Sequence, residues 1–124
     1  IAALKESGCD VVAHPATVRN IRSAVAAGEC RILHFSLHVA AAQEQLLFLE
    51  DGTGKAHVVR SRELKDLLRL GQHCQHIRLA FLNACHSLAI GADLIDVGVA
   101  HVVCVRDEDE VRDESCQLFA RDFF

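Results

Sequence analysis

Two residues whose types can make a nucleophile stand at the ends of two apolar runs. His38 closes the run Ile32-Leu33-His34-Phe35-Ser36-Leu37-His38, and Cys85 follows Leu79-Ala80-Phe81-Leu82-Asn83-Ala84. A cysteine attacks as its thiolate, and an imidazole within reach takes the thiol proton and later returns it to a leaving group. Both runs are dense in aliphatic and aromatic residues, which reads as strand. If the two strands are parallel neighbours, the residues that follow them emerge at one carboxyl edge, where open α/β sheets place their sites. The pattern points to a cysteine–histidine hydrolase.

The elements that must position this pair can be read from punctuation and periodicity. Residues 9–13 read as a short buried strand. Thr17 caps a helix over 17–27, with Val18, Ile21, Ala24 and Val25 on one face and Gly28 as its stop. A strand over 31–36 leads to His38, and the Ala-rich stretch 39–45 fits no single element. A strand at 45–49, the turn Asp51-Gly52-Thr53-Gly54 and a return strand at 56–59 make a hairpin. Ser61 caps a helix whose inner face is Leu64, Leu67, Leu68 and Leu70, ended by Gly71. The strand at 77–82 leads to Cys85. A helix over 88–97 is interrupted by Gly91 and closed by Gly98, and 100–105 is a further buried strand. Val111, Ser115, Leu118, Phe119 and Phe123 mark the inner face of a C-terminal helix. Strands alternating with helices predict an α/β fold with a mostly parallel sheet.

Composition narrows the function classes. The 124 residues, 51% of them hydrophobic, suit one domain spanning 1–124. The start at Ile1 and the absence of Met read as a domain cut from a longer protein whose other domains are potential partners. No apolar stretch approaches the roughly 20 residues that cross a bilayer, and no signal-peptide pattern opens the chain, so no membrane role is expected. The net charge of −4 and the scattering of 13 basic residues argue against nucleic-acid binding. Six cysteines without a tight framework read as reduced thiols, which places the protein in the cytoplasm. Cys9, Cys30, Cys104 and Cys116 read as small core hydrophobes.

Other candidate motifs have plainer readings. His73, Cys74, His76, Cys85 and His86 are zinc-ligand types, but their spacing fits no standard finger and 72–76 reads as a solvated polar loop, so neither metal nor cofactor is expected. His34, inside a strand, reads as a structural residue held by hydrogen bonds. The sequence from Asp51 to Lys55 lacks the spacing of a phosphate loop. The run Arg106–Glu114, with six acids and two arginines, reads as a solvated loop and helix start.

At His34-Phe35-Ser36-Leu37-His38 and Asn83-Ala84-Cys85-His86-Ser87 the chain resembles the caspase-like CHAT family, in the clan of caspases, metacaspases and separase. The intervening turn at 51–54, the helix at 62–70, and the stretch from Ala92 to Val105 before a helix ending in Phe-Ala-x-x-Phe-Phe follow the same order. The resemblance runs from about Val11 to the end, and it implies a three-layer α/β/α sandwich that normally continues beyond residue 124. By motif position it makes Cys85 the nucleophile and His38 the general base of peptide-bond cleavage. It assigns the oxyanion hole to the backbone N–H groups of Cys85 and Val39, and sets Asn83 in the pocket for the residue before the scissile bond. The chain departs from the family at Val39, where peptide-cleaving relatives have glycine, a residue free to adopt backbone angles closed to valine.

The leading expectation is therefore a cysteine endopeptidase acting on protein or peptide substrates through a Cys85–His38 dyad. Its alternative is a catalytically inactive interaction or signalling module of the same fold. A general flavodoxin-like binding domain, with the dyad coincidental, is a third.

Overall fold

The strands assemble into two small sheets, one of sequence neighbours and one whose first pair joins strands 47 positions apart. In the computed structural model, which describes residues 5–41, 43–70, 74–106 and 113–124, the strands are β1 (Ile32–Ser36), β2 (His38–Ala41), β3 (Gln45–Glu50), β4 (Ala56–Arg60), β5 (Leu79–Asn83) and β6 (His101–Val103). The helices are α1 (Val18–Ala26), α2 (Ser61–Leu70), α3 (Leu88–Asp96) and α4 (Asp113–Phe123). One sheet has the order β1-β5-β6 and its pairs are parallel; the other, β2-β3-β4, is antiparallel. The fold is α/β, but half of its strands belong to the antiparallel sheet rather than to one mostly parallel sheet. The Ala-rich segment resolves in part into β2, whose partner β3 follows closely enough to return beside it.

Local chemistry sets several boundaries. Thr17 caps α1 by accepting the Asn20 N–H at 3.0 Å, and Gly28, at φ 73°, ends it. At the β3–β4 hairpin, Asp51 Oδ1 accepts the backbone N–H groups of Thr53 and Lys55 at 2.8 and 3.0 Å and the Thr53 hydroxyl at 2.7 Å. These bonds favour the ionised carboxyl and hold Asp51 below the usual carboxylate range. Ser61 lies inside α2 rather than capping it, and the first-turn Glu63 carboxylate instead accepts the Arg60 N–H at 3.1 Å. The expected stop at Gly71 lies outside the described residues.

Side-chain alternation divides the parallel sheet into two faces. Leu33, Phe35, Ala80 and Leu82 lie in the main core with Ile21 and Val25 of α1, Leu64 and Leu68 of α2, and Ile90 and Leu94 of α3. A fully buried leucine or isoleucine there contributes roughly 1.5–3 kcal/mol of transfer free energy. The opposite face carries His34 beside Phe81, and Phe119, Phe123 and Phe124 from the end of the chain meet Phe81 at ring-centroid distances of 5.9, 5.4 and 5.4 Å. α2 packs against both α1 and α3. Lys65 of α2 joins it to α3 through Asp93 at 3.2 Å and Asp96 at 2.8 Å.

Four expectations are corrected. Residues 9–13 form no strand: they add no ladder to the edge strand β1, and Val12 is 72% exposed. α3 runs through Gly91 without interruption. A Cβ there would sit 2.9 Å from Cys104 Sγ and 3.2 Å from Val102 Cγ1, so glycine lets the helix approach β6 closely. The inner face expected of α4 is only half covered, with Phe119 54% and Phe123 45% exposed, while Val111 lies outside the described residues. The segment expected as a solvated loop instead buries Cys74 in a short 3-10 turn over Cys74–His76, while Cys30 and Cys104, partly exposed, pack against the core and Cys9 is partly exposed. The Cys116 side chain lies outside the description.

Candidate functional site

The two strand-end motifs belong to neighbouring parallel strands. β1 and β5 pair from Ile32 with Leu79 through Ser36 with Asn83. His38 and Cys85 thus each stand two residues beyond the same matched pair, at the carboxyl edge. Leu37 alone separates β1 from β2, so His38 opens the antiparallel sheet while still next to the end of the parallel one. His38 is exposed and Cys85 half-buried.

Beyond β5 the chain turns sharply before entering α3. Ala84 is buried, Cys85 and His86 form the turn, and His86 takes φ 55°. The left-handed conformation costs a non-glycine residue about 1–2 kcal/mol and persists only where the surroundings hold it. Ser87 supplies part of that hold: it is fully buried, and its hydroxyl accepts the Val105 N–H at 2.9 Å. Its carbonyl accepts the Gly91 N–H at 2.9 Å, the first turn of α3. The thiol is therefore presented on a strand–turn–helix junction tied to the chain leaving β6. Ser87 is the residue preceding α3, yet its side chain makes no capping bond to that helix. The bond to Val105, 18 residues away, has no local signal and is the feature that sequence reasoning missed.

The remaining sequence candidates have clear positions. Asn83 is half-buried opposite Ser36, at the end of β5. Val39 is paired with Leu47 inside β2–β3, its side chain buried in the core. Among the described residues His86 is the one non-glycine with positive φ, so Val39 does not adopt the backbone region that a glycine would open. His34 meets aromatic rings: Phe81 at 5.0 Å and Phe124 at 6.0 Å between centroids. Burial there disfavours the charged imidazolium and lowers its pKa below the ordinary histidine value.

The residues of zinc-ligand type are not gathered. His73 lies outside the described residues, burial raises the Cys74 thiol pKa, and among the described residues no group of three or more ligand side chains could hold a metal. Among the described residues no helix is long and apolar enough to cross a membrane. No protein-family model matches the chain, and no curated protein shows significant similarity to it.

Proposed function

We propose that this chain is a cysteine endopeptidase with a caspase-like three-layer α/β/α arrangement, acting on protein or peptide substrates through Cys85 and His38. The observation that carries the reading is the register of β1 on β5, from which His38 and Cys85 each follow two residues beyond one matched pair. The tight turn after Cys85 and the aromatic packing of α4 on the far face of the parallel sheet support it.

In the proposed reaction His38 takes the Cys85 proton and Sγ attacks the peptide carbonyl carbon. The carbonyl electron pair moves to oxygen, which the N–H groups of Cys85 and Val39 receive as the oxyanion hole. Collapse breaks the C–N bond, and the imidazolium gives its proton to the departing amine. Water, deprotonated by His38, then adds to the thioester. Its collapse releases the carboxylic acid and restores the thiol and the imidazole. Asn83 lines the pocket for the residue before the scissile bond, with an uncharged amide. No step calls for a metal or a cofactor.

A peptide library randomised on both sides of a central bond tests this directly. Native protein is expected to generate new amino termini, and Cys85→Ala and His38→Ala to generate none. Cleavage that survives Cys85→Ala, or none by native protein, overturns the reading.

A second reading, a non-catalytic interaction module of the same fold, draws on Val39. Its side chain is fixed in the core and its backbone stays out of the region open to glycine. If an oxyanion donor needs that region, its loss costs roughly 100- to 1000-fold in rate. Under this reading His38→Ala leaves the function of the parent protein intact.

A further inference from the structure

β4 lies at the edge of the antiparallel sheet: among the described residues it pairs with β3 and with no other strand. An antiparallel ladder alternates between pairs that exchange hydrogen bonds and pairs whose N–H and C=O groups point away from each other. Three contacts fix that alternation here. The Asp51 N–H donates to the Lys55 carbonyl at 2.8 Å, so Asp51–Lys55 is a bonded pair, and Leu49–His57 and Leu47–Val59 fall in step with it. The Glu50 N–H donates instead to the Ala16 carbonyl at 2.8 Å, and the Arg60 N–H to the Glu63 carboxylate at 3.1 Å. Glu50–Ala56, Phe48–Val58 and Leu46–Arg60 are therefore the unbonded pairs. The backbone groups of Ala56 and Val58 face outward from the edge.

The strand does little to blunt that edge. Ala56-His57-Val58-Val59-Arg60 holds no proline or lysine, its register on β3 runs without a bulge, and Ala56, His57 and Val58 are exposed. Such an edge is a template for another strand. Glu63 already takes the Arg60 N–H, which leaves Ala56 and Val58 to offer both a donor and an acceptor. A second copy of β4 running antiparallel about a two-fold axis at His57 sets Ala56 opposite Val58 of that copy, and Val58 opposite its Ala56. Four bonds then form and use all of these groups. An axis at Val58 would instead call on the Arg60 N–H. Lys55 and Arg60, the cations flanking the edge, stand opposite Val59 and Gly54 in this register rather than opposite each other. On the open face Val58, 48% exposed, comes beside the small Ala56 of the second copy and extends the apolar row from Phe48 across the join.

We propose that β4 pairs with β4 of a second copy about a two-fold axis at His57, joining two three-stranded antiparallel sheets into one. Each copy uses the same edge, so the assembly closes as a dimer. A five-residue edge spans about 17 Å, which puts the contact in the small class below about 1,200 Å². The dimer is weak and reversible, dissociating between about 1 μM and 1 mM. The pairing draws on no property of Cys85 and stands whether or not the chain cleaves peptides.

Sedimentation velocity across that concentration range tests the pairing. The weight-average mass of native protein is expected to rise from 13.6 kDa toward twice that value. Ala56→Pro removes an outward-facing N–H at the first residue of an edge strand, where proline is tolerated. By symmetry it deletes two of the four bonds, and it should weaken association at least about tenfold with circular dichroism unchanged. His57→Lys, at an exposed position, sets two ammonium groups opposite each other and should also weaken it. His57→Cys reads the register itself: an unbonded antiparallel pair has its Cα atoms about 4.5 Å apart, within disulfide range. Under mild oxidation with diamide the introduced thiols should link to each other, as mapped by mass spectrometry, whereas those of Ala56→Cys, which face Val58, should not. Native protein that stays monomeric to about 1 mM overturns the proposal. So does a dimer that keeps its strength in both Ala56→Pro and His57→Lys, or self-linking as ready in Ala56→Cys as in His57→Cys.

Discussion

Replacing Ser87 by Ala tests how the turn carrying Cys85 is held. The substitution removes one buried oxygen and leaves the Val105 N–H, now bonded at 2.9 Å, without its acceptor. A buried donor left unsatisfied costs about 1–3 kcal/mol. Ser87 is fully buried, but Val105 is only partly so, and water can recover some of the lost bond. The expected destabilisation is therefore about 1–2 kcal/mol, with little added by the small void. In urea this lowers the unfolding midpoint by roughly 0.5–1 M at an m-value near 2 kcal/mol/M. The proposed activity should fall by more than the unfolded fraction accounts for, since a misplacement of about 1 Å at a reacting group costs on the order of 100-fold. Equilibrium unfolding followed by circular dichroism, together with cleavage of the peptide library, gives both readings. A midpoint within error of native and unchanged cleavage would refute the claim that Ser87 fixes the turn.

Two further outcomes follow from packing and burial. Gly91→Ala brings a methyl group to 2.9 Å from Cys104 Sγ. The overpacking of about 1–3 kcal/mol is offset by roughly 1 kcal/mol of helix propensity. A net loss that Cys104→Ala partly restores is expected in thermal unfolding, and a stabilised Gly91→Ala protein would contradict the close helix–strand approach. His34 is favoured in its neutral form by burial, so the unfolded chain binds its proton first as pH falls. Its contribution is complete above the ordinary histidine value of about 6.5 and is lost as pH falls from there through the lower folded value. Urea midpoints should decline between pH 7.5 and 5.5 in native protein and less steeply in His34→Phe; equal slopes would contradict the assignment.

What the sequence made legible was chemistry confined to a few neighbouring residues. Thr17 and Gly28 bracket α1, and Asp51 organises its own hairpin through bonds to Thr53 and Lys55. Strand character alone was less informative. Residues 9–13 have it and remain unpaired, since strand character becomes a strand only where a partner completes the ladder. The inward face of α4 was visible as a pattern, but the sheet face that receives it offers mainly Phe81 and His34, which leaves Phe119 and Phe123 half exposed. The same division applies at the site. His38 and Cys85 could be picked out as strand-ending residues, while the register that aligns them depends on parallel pairing 47 positions apart. The Ser87–Val105 bond depends on burial and on a partner 18 positions away, which local sequence does not encode.

The central claim is that His38 activates Cys85. Its most direct test is the rate at which a peptidyl chloromethyl ketone alkylates Cys85 near neutral pH, mapped by mass spectrometry in native protein and in His38→Ala. The account predicts labelling at Cys85 in preference to Cys30 and Cys74, slowed about 100-fold without the imidazole. Equal rates in the two proteins, or labelling that favours another cysteine, would contradict it.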